Sequence, residues 1–191
     1  NAYLFRHDPI LLLNHISFYQ TWKENANMFT FSWDYIMIKM FGGNIMEIER
    51  KFLVKEVPKS LENYPCRHIE QGYLSTNPVV RIRKDNDKYE LTYKGNGQMV
   101  REEYNLPLNE DSYEHLKGKI DGRLIVKKRY MIPYLDYTIE LDIFENDLAP
   151  LILAEVEFPS EEMANTFVAP EWFNVDVTFE RLYHNSYLSQ I

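Results

Sequence analysis

The chain has 191 residues, 45% of them hydrophobic and 15% aromatic, and a formal net charge of −8. That length is enough for one ordinary hydrophobic core and too short for two large domains. The acidic balance, without any clustered basic excess, excludes a nucleic-acid binder that works by neutralising phosphates. The single cysteine, Cys66, permits neither an internal disulfide nor a zinc site of paired cysteines, which is typical of a reducing cytosol. The longest apolar run is far shorter than the roughly 20 residues that span a bilayer, so we expect a cytoplasmic protein without membrane contact.

Residues 1–45 differ from the rest because their apolar positions keep no sustained period. One helix is predicted over 9–23 with Asp8 as its cap, and it would suit docking or dimerisation, which leaves a homodimer open. A second interpretation treats the segment as an artefact. Gly42 and Gly43 closely precede Met46, and two glycine codons just before an ATG resemble a bacterial ribosome-binding site. On that hypothesis Met46 is the native start, residues 1–45 are translated leader, and residues 46–191 are the domain.

From residue 46 onward, polar and apolar residues alternate, with turn residues between the alternating segments. The pattern predicts β-strands over 47–54, 68–74, 79–83, 88–93, 100–106, 124–130, 138–144 and 151–158. Gly95, Asn96 and Gly97 suit a hairpin turn, because Asn and Gly tolerate positive φ. A phosphate-cradling loop is the alternative, but no helical pattern follows these residues.

Three short helices are predicted between the strands, over 58–64, 109–117 and 160–167. The last is the clearest, because Ser160 is a good N-cap and acidic residues occupy the first turn. Met163 and Phe167 lie four residues apart, on one face of that helix. We expect these helices to cover the outside of the sheet, which makes the fold class α+β.

Almost every predicted strand has one charged face and one apolar face. In the first strand, Glu47, Glu49 and Lys51 share a face, because successive side chains of a strand point to opposite sides. A half-buried sheet with its polar face in water would explain any single strand. It would not explain why basic pairs such as Arg81 with Arg83 and acidic pairs such as those of the seventh and eighth strands are sorted onto different strands.

A closed barrel of eight antiparallel strands, with the charged faces inward, accounts for the sorted charges. Its interior must be wet and must hold an ionic guest, because an unpaired buried ion costs several kcal/mol. Arg and Lys favour a polyanion. Carboxylates favour hard divalent cations such as Mg²⁺ or Mn²⁺, and four of them are candidates: Glu47, Glu49, Glu155 and Glu157. A metal-chelated chain of phosphates satisfies both groups.

The ordered motifs EIERK, QGYL, RIR, KRY, ELDIFE and AEVEFP, with the C-terminal PEWFNVDVTFERLYHNSYL, resemble the CYTH, or triphosphate tunnel metalloenzyme, family and its single-domain bacterial inorganic triphosphatases. The resemblance covers residues 46–188 and leaves 1–45 uncovered. It implies an eight-stranded antiparallel tunnel that binds a small-molecule triphosphate with divalent metal ions. The implied metal ligands are Glu47, Glu49, Glu155 and Glu157, joined by the acidic pair Glu140 and Asp142, which would reach metal-bound water or orient basic residues. The implied phosphate-binding cations are Lys51, Arg81, Arg83, Lys94, Arg101, Lys127 and Arg129.

Two lysines are candidates for direct roles in such a reaction. Phosphoryl transfer spreads charge in its transition state, so the site works by positioning and charge neutralisation. Lys127 is predicted to handle the attacking water and Lys94 to protonate or neutralise the leaving group. A lysine acting as a base must be neutral, which neighbouring positive charges favour. The alternative is that both lysines only bind phosphate.

Hydrolysis of inorganic tripolyphosphate to pyrophosphate and phosphate is the expected activity, because the sequence after Met46 shows no added nucleotide-recognition segment. Alternatives are a class IV adenylate cyclase that converts ATP to cyclic AMP, a thiamine triphosphatase, and a non-catalytic polyphosphate-binding module. Trp172 and Phe173 could stack on a base, although such a pair more often packs a terminal segment. The histidines, His184 among them, show no metal-ligand spacing and are interpreted as surface or packing residues.

Overall fold

The structure, a computed structural model, describes residues 45–95 and 100–191, and it describes side chains within 48–95 and 102–191. The predicted helix over 9–23 lies outside the described residues. So do almost all of the proposed leader 1–45 and the centre of the predicted turn at Asn96. None of the helices in the described ranges has the length and apolar character that crossing a membrane requires.

The described part of the chain contains nine β-strands and three α-helices. The strands are β1 (Ile45–Val54), β2 (Cys66–Thr76), β3 (Val79–Asp85), β4 (Lys88–Lys94), β5 (Val100–Leu108), β6 (Asp121–Tyr134), β7 (Tyr137–Phe144), β8 (Ile152–Glu157) and β9 (Phe173–Asp176). The helices are α1 (Glu110–Lys117), α2 (Glu161–Thr166) and α3 (Asn185–Leu188). Each predicted strand is present, and β9 and α3 are additional elements.

Two of the three predicted helices form and the third does not, because the residues at their starts differ. α1 and α2 begin as predicted, since the Asn109 side chain accepts from the backbone N of Ser112 at 2.8 Å and the Ser160 side chain accepts from that of Met163 at 3.2 Å. The helix predicted over 58–64 is wrong: only a 3₁₀ turn forms there, at Leu61–Asn63. Ser60, just before it, has φ of 61° and ψ of 42°, a left-handed conformation that interrupts the helical path.

The strands form one antiparallel sheet in the order β5-β4-β3-β2-β6-β7-β8-β1-β9. β1 makes a further pairing with β5. Residues 45–48 of β1 lie opposite residues 100–103 of β5, whereas residues 49–53 lie opposite residues 153–157 of β8. β1 therefore pairs with both β5 and β8, as well as with the short β9.

Two apolar clusters lie on opposite faces of the strands. One packs α2 and β9 against β1, β6, β7 and β8, and the ring centroids of Phe158 and Phe167 are 5.2 Å apart there. The other contains Phe144, Leu153 and Leu188. Leu153 lies two residues from Glu155, and Phe144 two from Asp142, so this second cluster occupies the charged face of the strands. At one end of the strands, this face therefore carries apolar side chains instead of charged ones.

The C-terminal segment crosses from β1 to β6. The backbone N of Val177 donates to the carbonyl O of Lys51 at 2.8 Å, and that of Arg123 donates to the carbonyl O of Ser189 at 2.8 Å. Gly122 allows the second contact, because its φ is 77° and a Cβ there would lie 2.1 Å from the Ser189 carbonyl oxygen. The segment between these anchors is held at both ends.

Asp176 joins β9 to β1 through Arg50, whose Nη2 lies 2.6 Å from the Asp176 Oδ2, and it also accepts from the backbone N of Thr178 at 2.9 Å. Partial burial alone would raise the pKa of Asp176, but the hydrogen bonds from Thr178 and Arg50 outweigh it and lower the pKa below its ordinary value. The charged carboxylate thus stabilises the fold above its unfolded pKa, and this contribution is lost as pH falls through the folded pKa.

Asp176→Asn is therefore predicted to lower the free energy of unfolding at pH 7 by about 1 kcal/mol, because the pair is partly solvent-exposed and screened. The difference from wild type should shrink below about pH 4, where unfolded Asp is protonated. Urea denaturation across this pH range measures both. Asp136→Asn, at an exposed position, is the control; equal stability of Asp176→Asn and wild type at pH 7 would contradict the prediction.

Candidate active site

One cavity of about 80 Å³ lies on the charged face of the strands. Its basic lining residues are Lys51, Arg81, Arg83, Lys94 and Arg129. Its acidic lining residues are Glu49, Glu103, Glu140, Glu155 and Glu157. Because residues two apart in a strand share a face, seven different strands each contribute a charge to the same small space.

Most of the predicted site residues with described side chains line this cavity, and two of them do not. Lys127 and Asp142 are fully buried next to the cavity but outside its lining. Glu47 and Arg101 are opposite each other in the β1–β5 register, and their side chains lie outside the described part of the structure.

Arg129 joins three carboxylates from β7 and β8. Its Nε donates to Asp142 at 2.7 Å, its Nη2 donates to Glu155 at 2.5 Å, and its Nη1 donates to Glu140. Glu140 and Glu155 are directly opposite in the sheet register, where like charges repel, so the guanidinium between them offsets that repulsion. Burial alone would lower the pKa of Arg129, but Asp142, Glu140 and Glu155 raise it well above its ordinary value.

Glu155 is held ionised by the cations around it. Burial alone would raise its pKa, but Lys51, Arg129 and Lys127 lower it well below the ordinary range. The Lys51 Nζ lies 2.8 Å from the Glu155 Oε1. A second ion pair joins Lys94 and Glu103 at 2.7 Å. The cavity cations are thus balanced by carboxylates of the same face.

Lys127 forms a buried ion pair with Asp142, and its Nζ lies 5.3 Å from the centre of the Phe144 ring. Burial lowers the pKa of Lys127 to about 8, with Arg129 adding to the effect and Asp142 opposing it. Asp142 in turn accepts from Arg129. Lys127 therefore does not line the cavity. It contacts Asp142, and Asp142 contacts the cavity residue Arg129.

Arg81 and Arg83 have donor groups available for an anion. The Nε atoms of both are buried and have no hydrogen-bond acceptor within the described residues. Burial is the main cause that lowers the pKa of Arg83 to about 10, and the positive charges of Arg81 and Arg129 lower it as well. The Arg83 Nη2 donates to the Gln71 Oε1 at 3.1 Å, which fixes the plane of the guanidinium. Two fixed guanidinium groups with unused N–H donors in a cavity are suited to an oxyanion.

Three acidic residues of the cavity suit a divalent cation. Glu49 and Glu157 are directly opposite in the register of β1 and β8, and Glu155 lies two residues from Glu157. Carboxylate oxygens are the donors that Mg²⁺ and Mn²⁺ prefer. Among the described side chains, no three acidic, histidine or cysteine groups already lie close enough together to hold a metal ion. The donor chemistry therefore fits, and the predicted fourth ligand, Glu47, has no described side chain.

Sequence analysis missed a set of cavity residues from the C-terminal segment: His184, Asn185 and Ser186. His184, interpreted from sequence as a surface or packing residue, is half-buried in the lining, and its Nε2 lies 3.3 Å from the Thr178 carbonyl oxygen. The Oδ1 of Asn185 is buried without a donor among the described residues. No alternation could have found these residues, because they come from a turn and a short helix rather than from a strand.

The CYTH domain family matches residues 46–174 of this chain. The chain belongs to the CYTH domain family. An inorganic triphosphatase of Nitrosomonas europaea is 39% identical to it over 148 residues, which cover 75% of this chain and 96% of the relative. An inorganic triphosphatase of Acetivibrio thermocellus is 34% identical, covering 74% of this chain and 92% of the relative. The crystal structure of an inorganic triphosphatase, 34% identical, matches with a TM-score of 0.60 and covers 77% of this chain and 96% of that chain.

This match confirms the family that the strand motifs indicated. It begins at Met46, the first residue of the sequence resemblance. The charged residues of these motifs lie on the strands of one antiparallel sheet, as predicted.

The cluster formed by Arg129, Asp142, Glu140 and Glu155 leads to a prediction about stability. Arg129→Met should lower the free energy of unfolding by about 3 to 5 kcal/mol, because it leaves three carboxylates without their shared cation. Urea denaturation at pH 7 measures the loss. Arg67→Met is the matched control, since the Arg67 side chain is 35% exposed and its pair with Asp85 should contribute about 1 kcal/mol or less. Equal losses in both variants would refute the assigned importance of the cluster.

Proposed function

We propose that this protein is a metal-dependent triphosphatase that hydrolyses inorganic tripolyphosphate to pyrophosphate and phosphate. The observation that carries the proposal is the pair of buried Nε donors of Arg81 and Arg83 in a cavity lined by both cations and carboxylates. A buried donor without an acceptor costs about 1 to 3 kcal/mol, and phosphate oxygens would recover that energy. Membership of the CYTH family and the similarity to inorganic triphosphatases support this substrate class.

The proposed site lies inside an eight-stranded antiparallel barrel formed by β1 to β8. The pairing of β1 with both β5 and β8 supports closure, because the strand order then returns to its first member. β9 adds to β1 outside this ring. A closed barrel directs one face of every strand into a common interior, which explains how charges far apart in sequence meet in one cavity.

Substrate binding is proposed to replace ion pairs within the protein by ion pairs with the triphosphate. Lys51 and Lys94 are neutralised by Glu155 and Glu103 on the same face. A triphosphate carries more charge than either carboxylate and competes for these cations. Arg81 and Arg83 supply planar forks that match phosphate oxygens. Arg101, on β5, is proposed to add a further cation to the same site.

The proposed metal ligands are Glu49, Glu155 and Glu157, with Glu47 as a fourth. When bound, Mg²⁺ or Mn²⁺ would neutralise charge on phosphate oxygens. The ion would also offset the repulsion between Glu49 and Glu157, which are directly opposite in the sheet. Glu157 is exposed, so this pair lies at the solvent-facing end of the cavity.

In the proposed reaction a water oxygen bonds to the terminal phosphorus and releases its proton to solvent, the bridging P–O bond breaks, and pyrophosphate leaves with the electron pair. Lys94 is proposed to neutralise the charge that develops on the leaving oxygen. The predicted direct role of Lys127 is revised to a positioning role, because its Nζ contacts Asp142, which holds Arg129 at the cavity. Glu140 and Asp142, both bound to Arg129, are proposed to orient that cation rather than to ligate a metal.

The activity is predicted to be specific for inorganic tripolyphosphate and to require a divalent metal. Purified protein would be incubated with tripolyphosphate, ATP and thiamine triphosphate, each with Mg²⁺, with Mn²⁺ and with EDTA, while phosphate and cyclic AMP are measured. The expected result is rapid phosphate release from tripolyphosphate that EDTA abolishes and added metal restores. Cyclic AMP from ATP would favour a cyclase instead, and tight binding of tripolyphosphate without turnover would favour a binding module.

Lys127→Met is predicted to lower kcat about 100-fold while changing KM much less, because it disturbs the orientation of Arg129 in the reaction and leaves the cavity cations in place. Steady-state kinetics with tripolyphosphate, alongside thermal melting to exclude unfolding, measure this split. Lys128→Met is the matched control, since Lys128 is adjacent in sequence but pairs with Glu145 outside the cavity. Wild-type turnover in Lys127→Met would remove Lys127 from the mechanism.

A further inference from the structure

A continuous chain of hydrogen bonds joins two cavity cations across β3, β4 and β5. The Arg81 Nη2 donates to the Thr92 Oγ1 at 2.9 Å, and the Thr92 Oγ1 donates to the Asn105 Oδ1 at 2.7 Å. The Asn105 Nδ2 donates to the Glu103 Oε1 at 2.8 Å. The other carboxylate oxygen of Glu103 lies 2.7 Å from the Lys94 Nζ. The chain therefore begins at one cation of the cavity and ends at another.

The direction of every proton in this chain is determined. A guanidinium can only donate, so the Thr92 hydroxyl accepts from Arg81 and uses its single proton toward Asn105. The Asn105 Oδ1 accepts that hydrogen bond, and the Asn105 Nδ2 then donates to Glu103. The Glu90 carboxylate, 3.4 Å from the same hydroxyl, is the weaker of its two acceptors. One arrangement of the chain thus satisfies each donor.

The sheet register places the residues of this hydrogen-bond chain directly opposite one another. Arg81 is directly opposite Thr92 on β4, Thr92 is directly opposite Asn105 on β5, and Lys94 is directly opposite Glu103. Thr92 is fully buried between Arg81 of β3 and Asn105 of β5, and its hydroxyl contacts the side chains of both. A buried hydroxyl at this position is therefore explained by its hydrogen bonds and not by its volume.

We propose that Thr92 and Asn105 are positioning residues that set the directions of Arg81 and Lys94 for a bound polyphosphate; the proposal rests on the proposed function. Because the guanidinium is planar, a fixed Nη2–H bond to Thr92 also fixes where the Nε–H of Arg81 points. That Nε is the buried donor without an acceptor among the described residues. Asn105 acts on Lys94 indirectly, by holding the Glu103 carboxylate that pairs with it.

The test is the matched pair Thr92→Val and Thr92→Ser. Valine keeps the shape and removes the hydroxyl, whereas serine keeps the hydroxyl. Thr92→Val is expected to raise the Kd for tripolyphosphate and the KM about tenfold, with a smaller effect on kcat, because a hydrogen bond to a charged group is lost. Thr92→Ser should recover most of the affinity, which a merely structural role would not require.

Binding would be measured by titration calorimetry with tripolyphosphate in EDTA, so that the cations are tested without metal, and KM with Mg²⁺. Thr166→Val is the control, since Thr166 is an exposed residue of α2 and its hydroxyl donates to the Glu162 carbonyl oxygen. Wild-type affinity in a folded Thr92→Val, or no recovery in Thr92→Ser, would overturn the proposal. Wild-type protein that neither binds nor hydrolyses tripolyphosphate would instead overturn the proposed function.

Asn105→Ala tests the same chain if Thr92→Val fails to fold, because the Asn105 side chain is exposed and its loss leaves the packing intact. It is expected to raise the Kd about threefold, less than Thr92→Val, since it acts on Arg81 through Thr92. Where Thr92→Val folds, the two effects should not add in the double variant. An unchanged Kd in Asn105→Ala, or additive effects in the double variant, would contradict a connected chain.

Discussion

Mutual neutralisation of buried charges is the constraint on which this structure depends. Charges from seven strands share a cavity of about 80 Å³, and each costs several kcal/mol to bury unless it is paired. Arg129 contacts Asp142, Glu140 and Glu155, while Lys51 and Lys127 pair with two of the same carboxylates. The same pairing prepares the site for an anion, because the cations are held in place before any anion binds.

The charged cavity is confined because the strand faces change character along their length. On β7 and β8 the same face that carries Asp142 and Glu155 continues into Phe144 and Leu153, which pack with Leu188 of α3. Hydrocarbon thus closes one end, whereas Glu157 remains exposed at the other. Lys51, Arg81, Lys94 and Arg129 are buried, and desolvation there strengthens their attraction for an anion.

Alternation in the sequence was sufficient to predict the strands and their charged face, because side chains two apart must share a side of the sheet. Helix caps were equally local, so α1 and α2 were predictable from Asn109 and Ser160. Contacts between distant segments were not. The placement of Lys127 outside the cavity depends on the packing of Phe144, and the entry of His184 depends on anchors at both ends of the C-terminal segment. Neither leaves a periodic pattern in the sequence.

The central claim is that these buried cations and carboxylates converge on one polyphosphate and its metal. A crystal structure of the protein with tripolyphosphate and Mn²⁺, in which anomalous scattering locates the metal, tests it most directly. The expected result is phosphate oxygens within hydrogen-bond distance of the Nε atoms of Arg81 and Arg83, and a manganese peak at Glu49 and Glu157. Phosphate bound only outside the cavity, with the Lys51–Glu155 and Lys94–Glu103 pairs intact, would contradict the claim.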